Sequence, residues 1–400
     1  MTVCFFNRSY WPDTGATGQL LTELAEDLVA HHGMEVTVVT GHPISGGVKL
    51  PNREVRNGVT IIRVAGTVFS PRAFAGRATN YVTYFISALF AARRLPPSDV
   101  IVALTDPPIV GCAALAARRR GGFVFYCQDI FPEVAALLQD FRSDLVDAAL
   151  ERVNRFLVRR ASLIVALGDT MARRLVVGKG ADPAKVFVIH NWADTTAISP
   201  EPQANAFSRA HGLVGKFVVM HAGNIGQSQN LDTVLDAADV LRRDADIVFV
   251  FIGDGTRRAD LEASARARGL TNVRFLPFQP RDMMRWSYAT ASAFIVSLRP
   301  GLAGYIVPSK LYGVLAAGRP YIAAVDEQSE VAIITQQHEC GICVPPGDAS
   351  AMADAIRRLK ADQRDRERMG VRARAASVLF DRARQVGAHA AVLTRAAEMR

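Results

Sequence analysis

Residues 299 to 320 read RPGLAGYIVPSKLYGVLAAGRP, and they put a lysine where a lysine is electrostatically awkward. The glycines permit a loop, Pro308 can start a helix, and Lys310 then falls in the first helical turn. A cation avoids that end of the helix dipole unless an anionic ligand outweighs the repulsion; the alternative is a lysine solvated on an exposed face. Two glycine loops nearby suit the same kind of ligand. In His221-Ala-Gly-Asn-Ile-Gly226, Gly223 and Gly226 let backbone approach a ligand closely, while Asn224 and Gln227 offer neutral donors. Ile252-Gly-Asp-Gly-Thr256 ends the next strand, and its Gly253 and Gly255 fit either a nucleotide or a tight turn in which Asp254 caps the following helix. Near the N-terminus, Arg8, Gly15 and Gly18 flank a third loop at a helix start. Backbone N–H groups and the positive end of a helix aimed at one point are the chemistry of phosphate binding.

The elements that must position these residues come in two sets. Apolar strands at Val3–Phe6, Val36–Thr40, Val59–Val64, Val100–Leu104, Phe123–Cys127, Leu163–Ala166 and Val186–Ile189 alternate mainly with helical stretches, and Leu20, Leu21, Leu24, Ala25, Leu28 and Val29 keep helical spacing after the first loop. A second set follows at Phe217–Met220, Ile247–Ile252, Val273–Leu276, Ala293–Ser297, Tyr321–Ala324 and Ile342–Val344. Alternation of this kind predicts parallel sheets covered on both faces. The expected fold class is therefore α/β, with two doubly wound Rossmann-like domains facing an interdomain cleft, and ligands beyond the carboxyl ends of the strands. The expected boundaries are 1–198 for the first domain and 209–379 for the second. Thr195–Ser208, with two prolines and no periodicity, reads as the linker, and helix 380–400 is expected to pack back on the first domain.

The composition excludes several classes. The chain has 400 residues, 50% of them hydrophobic, and a net charge of +9 without a basic tail or block, so no nucleic-acid partner is expected. That excess fits anionic ligands or an anionic lipid surface. Met1 leads directly into a strand, with no leader pattern, and the longest apolar stretch, Tyr81–Ala92, is short of a spanning helix. Phe69–Arg77, Tyr81–Ala92 and Arg93–Arg94 could instead form an interfacial patch, and Arg152, Arg155, Arg159 and Arg160 share one helix face; a buried helix and a solvated basic face are the plainer readings. Cys340 and Cys343 form a CxxC, but in a strand pattern with no second pair, so a structural role is expected. Asp244-Ala-Asp246 does not follow a strand, and no cluster has metal-ligand spacing; no metal and no cofactor are expected.

GNIG at 223–226, GDG at 253–255, PSKLYGVLAAGRP at 308–320 with its sequel Glu330, and the Val344-Pro-Pro-Gly-Asp348 turn together resemble the C-terminal domain of glycosyltransferase family 4, a retaining family with the GT-B fold. Gln128-Asp-Ile-Phe-Pro-Glu133 and His190-Asn-Trp-Ala-Asp194 are similar to the branch that builds bacterial O-antigen and exopolysaccharide chains, including fucosaminyl and fucosyl transferases. The similarity covers nearly the whole chain, in order. It also has gaps. Where the family carries an Arg and a Lys on the diphosphate, this chain has Asn224 and Asn230; where it carries two glutamates, Tyr305 and Gly313 stand; and Gln128, followed by Asp129, replaces a histidine.

The resemblance implies a nucleotide-diphosphate sugar held mainly by the C-terminal domain, and transfer with retention to an acceptor on the N-terminal domain, the leaving phosphate helping to take the acceptor's proton. The residues it assigns to the donor are Gly223, Asn224, Gly226, Asn230, Gly253, Gly255, Tyr305, Ser309 and Lys310, with Arg299 a further cation and Arg8, Gly15 and Gly18 facing them from the N-terminal loop. Lys310 is the expected stabiliser of the departing diphosphate. Asp129 either positions the acceptor hydroxyl or caps a turn before Pro132. The expected acceptor is a lipid-linked saccharide and the expected location cytoplasmic, peripheral on the inner face of the membrane. A nucleotide-sugar epimerase and a noncatalytic nucleotide-sugar-binding protein are the competing readings.

Overall fold

The structure is a computed structural model that describes all residues except 14, 44–49, 70–73, 139–142 and 400. Its contacts divide it into two compact units: Met1–His190 with Gly304–Val307 and Arg384–Arg400, and Asn191–Ala303 with Pro308–Ala383.

In the first unit, β1 (Thr2–Phe6) leads through a turn into α1 (Ala16–His32) and β2 (Glu35–Thr40). A hairpin follows, β3 (Arg53–Arg56) and β4 (Val59–Arg63), then α2 (Phe74–Ala92), β5 (Val100–Ala103), α3 (Val110–Ala117) and β6 (Gly122–Cys127). The unit continues with α4 (Glu133–Leu138), α5 (Asp144–Arg160), β7 (Leu163–Ala166), α6 (Asp169–Lys179) and β8 (Val186–Val188). The eight strands form one sheet in the order β3-β4-β2-β1-β5-β6-β7-β8. All neighbours are parallel except β3 and β4. In the central strands, Phe123 to Cys127 are buried without alternation, as a sheet covered on both faces requires.

The β3 edge strand is absent from the sequence expectation because three of its four residues, Arg53, Glu54 and Arg56, are charged and only Val55 is apolar. The signal that reveals it is Asn57-Gly58: both residues have positive φ, 48° and 80°, which is the turn that closes a two-residue hairpin. Arg63 is buried, pairs with Glu54 on this hairpin at 2.7 Å and donates to the Trp11 carbonyl at 3.1 Å, so the hairpin also steadies the loop that follows β1.

The second unit contains α7 (Ala206–Ala210), β9 (Phe217–Ala222), α8 (Asp232–Val240), β10 (Ile247–Ile252), α9 (Arg258–Ala267), β11 (Val273–Leu276), α10 (Arg281–Thr290) and β12 (Ala293–Ser297). Then come α11 (Lys310–Ala316), β13 (Tyr321–Ala324), α12 (Glu330–His338), β14 (Gly341–Val344), α13 (Ala349–Ala361) and α14 (Gln363–Ser377); α15 (Arg382–Glu398) closes the chain and from Arg384 onward belongs to the first unit. The sheet runs β11-β10-β9-β12-β13-β14, all parallel. Its core joins Phe249 and Phe251 to Leu235, Ile322, Met352 and Ile356.

The stretch 195–208 is structured rather than a free linker. Arg374 donates to the carbonyls of Thr195 and Ile198, Arg319 to that of Glu201, and Asn205 with Ser208 forms a capping box at the start of α7. Two guanidinium groups thus satisfy carbonyls that an aperiodic segment cannot pair within itself. Cys340 lies buried against the Tyr321 hydroxyl, and burial pushes both thiols of the CxxC up, which suits a packing role.

Candidate functional site

In the second unit, β9 delivers His221 and the Gly223–Gly226 loop to one place, and α11 begins beside them. Lys310 is the first residue of α11, after Ser309 at its N-cap, as the Pro308 signal leads one to expect. Its Nζ lies 3.4 Å from His221 Nε2, and its Cε is 3.6 Å from where a Cβ on Gly223 would stand. Burial lowers the Lys310 ammonium to about 7. His221 is driven well below the usual imidazole value by burial first and the Lys310 charge second, so its ring is neutral. Among the described residues, no carboxylate comes within ion-pair distance of Lys310. Arg299 enters the same neighbourhood at the end of β12, its backbone N–H donating to the Ser228 carbonyl at 2.8 Å.

The Gly223–Gly226 loop differs from the expected cradle of free N–H groups. The Gly223 N–H donates to the Ile252 carbonyl and the Ile225 N–H to that of Asp254, both at 2.8 Å, and the Gly226 N–H donates to Gln229 Oε1 at 3.1 Å. These bonds weld the loop to the Gly253–Gly255 turn. The glycines are what permit it: a Cβ on Gly253 would stand 1.9 Å from the Gly223 carbonyl oxygen, and one on Gly255 2.4 Å from that of Ile225, at φ of 145° and 157°. So GNIG and GDG form one locked double loop, with the Asn224 side chain exposed and Lys310 packed beside Gly223. A short 3-10 turn, Gln227–Gln229, separates this loop from α8. Asn230 ends that turn in the left-handed conformation, φ 48°, and its Nδ2 donates to Thr233 Oγ1 at 3.0 Å. Asn230 is thus a turn residue whose amide is already engaged.

Gly313 has a steric cause as well. A Cβ there would lie 2.9 Å from the Tyr288 ring, so α11 rests on that ring and a glutamate has no room. Glu330 sits buried at the start of α12, behind its Ser329 cap. Asp246 is exposed, on the segment entering β10, near Lys216 and Lys360. Among the described residues, no three His, Cys, Asp or Glu side chains are gathered as a metal site.

The first unit gathers a different set at the carboxyl ends of β1, β5 and β6. The Arg8 N–H donates to the Asp106 carbonyl at 2.7 Å, and the Arg8 carbonyl accepts from the Gly41 N–H and the Thr40 hydroxyl. The Arg8 side chain is 7% exposed, yet among the described residues its guanidinium has no hydrogen bond or ion pair. Asp106 accepts from the Ser9 hydroxyl. Burial pushes Asp13 up to about 6 against the pull of Arg8, and pushes Asp129 up to about 7 with Asp106 adding repulsion. The N–H groups of Gln128 and Asp129 both donate to Thr105 Oγ1, which fixes the turn that carries Asp129.

Gly15 and Gly18 have separate roles here. Gly15 is the N-cap of α1, and a Cβ added to it would meet nothing within 4 Å, whereas a Cβ on Gly18 would press on Asp13 Cβ at 3.3 Å. Tyr305, expected among the donor residues, falls in this unit: its carbonyl accepts from the Ile130 N–H at 3.0 Å, its neighbour Ile306 bridges to Asp129, and Arg174 lies 4.5 Å over its ring.

Asp13, Asp106 and His221 are the site residues that the motifs did not single out. Asp106 could have been found from its place directly after a strand, in Leu104-Thr-Asp-Pro-Pro108; His221 from its place as the penultimate residue of β9.

Residues 15–192 match the family of glycosyl transferase 4-like domains, and residues 204–376 match glycosyl transferases group 1. The chain is a glycosyltransferase of the GT-B fold. This glycosyltransferase is 26% identical over 383 residues to the putative colanic acid biosynthesis glycosyl transferase WcaI of Escherichia coli (strain K12), covering 89% of this chain and 91% of that one. Sucrose-phosphate synthase from Thermosynechococcus elongatus shares its fold with a TM-score of 0.80 at 16% identity, over 99% of this chain and 98% of that one. HepE of Anabaena, solved in complex with UDP-glucose, does so with a TM-score of 0.73 at 17% identity, over 99% and 100%. Within the glycosyltransferase, the locked double loop and Lys310 belong to the group 1 match, and Asp106 and Asp129 to the 4-like match.

Proposed function

We propose that the protein moves a sugar, with retention, from a nucleotide-diphosphate sugar to a lipid-linked saccharide acceptor during synthesis of a bacterial cell-surface polysaccharide, with a fucosyl or fucosaminyl residue as the transferred group. The observation that carries the donor half of this reading is Lys310, an ammonium with no carboxylate partner among the described residues, packed on the loop at the end of β9. A group held near neutrality by burial gains most when a diphosphate arrives, since the ligand's charge restores its proton and the proton restores the attraction. Arg299 and the Asn224 amide supply further donors. The likeness to WcaI and to HepE with its UDP-glucose supports the reaction class and the donor class.

For the acceptor half, Asp129 receives the hydrogen bond of the attacking hydroxyl, and Arg8 and Asp13 hold neighbouring sugar hydroxyls. The new bond forms between the acceptor oxygen and the sugar's anomeric carbon as that carbon's bond to the diphosphate breaks, and the hydroxyl proton passes to the leaving phosphate oxygen. The residues perform this without a metal, in a cytoplasmic location at the membrane face. The test is incubation of the protein with labelled UDP-, GDP- and dTDP-sugars and a bacterial membrane extract. Transfer of label to lipid is the expected result; interconversion of the donor without an acceptor, or binding without turnover, contradicts it.

A further inference from the structure

Helix α2 is apolar on the face it buries and apolar again on the face it turns to water. Tyr84, Ala88 and Ala92 are buried, whereas Val82, Ile86 and Phe90, spaced four apart on the opposite side, are 49, 47 and 58% exposed. A helix on the surface of a sheet ordinarily turns polar residues outward. Phe69, 54% exposed, precedes the helix, with its backbone N–H and C=O both tied to the Asn80 side chain of α2. Residues 70–73 of the expected interfacial patch lie outside the described residues.

The rim of this stripe is cationic. No Asp or Glu occurs between Glu54 and Asp99, nor between Asp106 and Asp129, while Arg93 and Arg94 follow α2 and Arg118, Arg119 and Arg120 follow α3. Arg119 donates to the Arg93 carbonyl at 3.2 Å, which joins the two groups of arginines. Beside them is an open depression of about 790 Å³ lined by Leu115, Arg118, Arg119, Arg120, Phe156 and Arg160. It pairs two apolar side chains with four guanidinium groups, each able to take a phosphate oxygen pair bidentately.

We propose that the outward face of α2 and this arginine-lined depression form a docking surface for an anionic lipid bilayer, with Val82, Ile86 and Phe90 entering the acyl boundary and the arginines taking lipid phosphates. Charge complementarity selects a bilayer over a second copy of the chain: a two-fold contact through this face would set the arginine cluster against itself. Helix α2 is not apolar enough to span, and among the described residues no helix is both long and apolar enough, so the contact is interfacial. The same helix turns Tyr81 toward Asp106, whose charge, after burial, raises the phenol. One element therefore meets lipid on one side and reaches the carboxylate cluster on the other. The inference builds on the lipid-linked acceptor of the proposed function.

The test is co-flotation of the full chain with vesicles of phosphatidylcholine alone or mixed with phosphatidylglycerol, read without any sugar transfer, so that docking and transfer can fail separately. The wild type is expected to partition at least tenfold better onto the phosphatidylglycerol vesicles, and less so as salt rises. Ile86→Asp with Phe90→Asp should cut binding at least tenfold, and Arg118→Gln with Arg119→Gln and Arg120→Gln should abolish the preference for anionic lipid. Ile86→Ser with Phe90→Ser serves as a milder pair, and an unchanged melting curve shows that each variant folds. Equal binding to both vesicle types, binding unaffected by the variants, or a solution dimer that the aspartate pair dissociates while vesicles go unbound would each overturn the proposal.

Discussion

At the end of β9 a lone ammonium, Lys310, faces a neutral imidazole, whereas at the ends of β1, β5 and β6 three carboxylates gather near one guanidinium. Burial acts on both places in the same way, disfavouring charge, but the outcomes are opposite in sign. It lowers Lys310 to about 7 and raises Asp129 to about 7. On the proposed function, the second unit would thus favour an anion, and the first hydrogen-bond donors such as sugar hydroxyls. The linkage follows. Between about 7 and 10.5 the unfolded chain binds the Lys310 proton and the free folded one does not, so that lysine makes stability rise with pH over this window. Asp129 does the reverse, its folded form holding a proton that the unfolded chain loses, so stability falls as pH rises from about 3.8 to about 7.

The contrast can be broken most severely at Lys310. Lys310→Ala should lower kcat for transfer by about 10²–10³, as expected for loss of one preorganised donor to a developing anion; steady-state kinetics at pH 7 check it, and a change under threefold would remove the lysine from the chemistry. Next is the double loop that supports it. Gly253→Ala sets a methyl against the Gly223 carbonyl and should destabilise the protein by about 3 kcal/mol in urea unfolding, whereas wild-type stability would mean that the two loops are not locked. On the other side, Asp129→Asn should slow transfer about 10–100-fold. It should also stabilise the protein at pH 8 by on the order of 2 kcal/mol, the gain fading toward pH 4; stability indifferent to pH would contradict the burial of that carboxyl. The smallest effect is expected at Gly15→Ala, within about 0.5 kcal/mol, because nothing lies near its Cβ.

Thirteen of the fourteen strands among the described residues are legible in the sequence because parallel strands buried on both faces are unbroken apolar runs, as Ile247 to Ile252 illustrates. The missing one, β3, is an edge strand whose exposed residues carry no such run, and only its Asn-Gly turn marks it. The placement of Lys310 at the head of α11 is legible from Pro308. What the sequence does not reveal is a second use of glycine. Gly253 and Gly255 look like residues that make room for a ligand, and they also make room for the Gly223 and Ile225 carbonyls, a packing role that depends on which loops become neighbours in the sheet. Likewise, Asp106 becomes notable only once β1, β5 and β6 lie side by side.

The central claim is that Lys310 is the cation that receives the donor diphosphate. Titration calorimetry of a nucleoside diphosphate panel at pH 8, in two buffers of different ionisation enthalpy, tests it directly. For the nucleotide that binds, the wild type should take up most of one proton as the ligand restores the ammonium. Lys310→Arg should keep the affinity within about tenfold without that uptake, and Lys310→Ala should lose both. Tight binding by Lys310→Ala with the proton uptake unchanged would contradict the account.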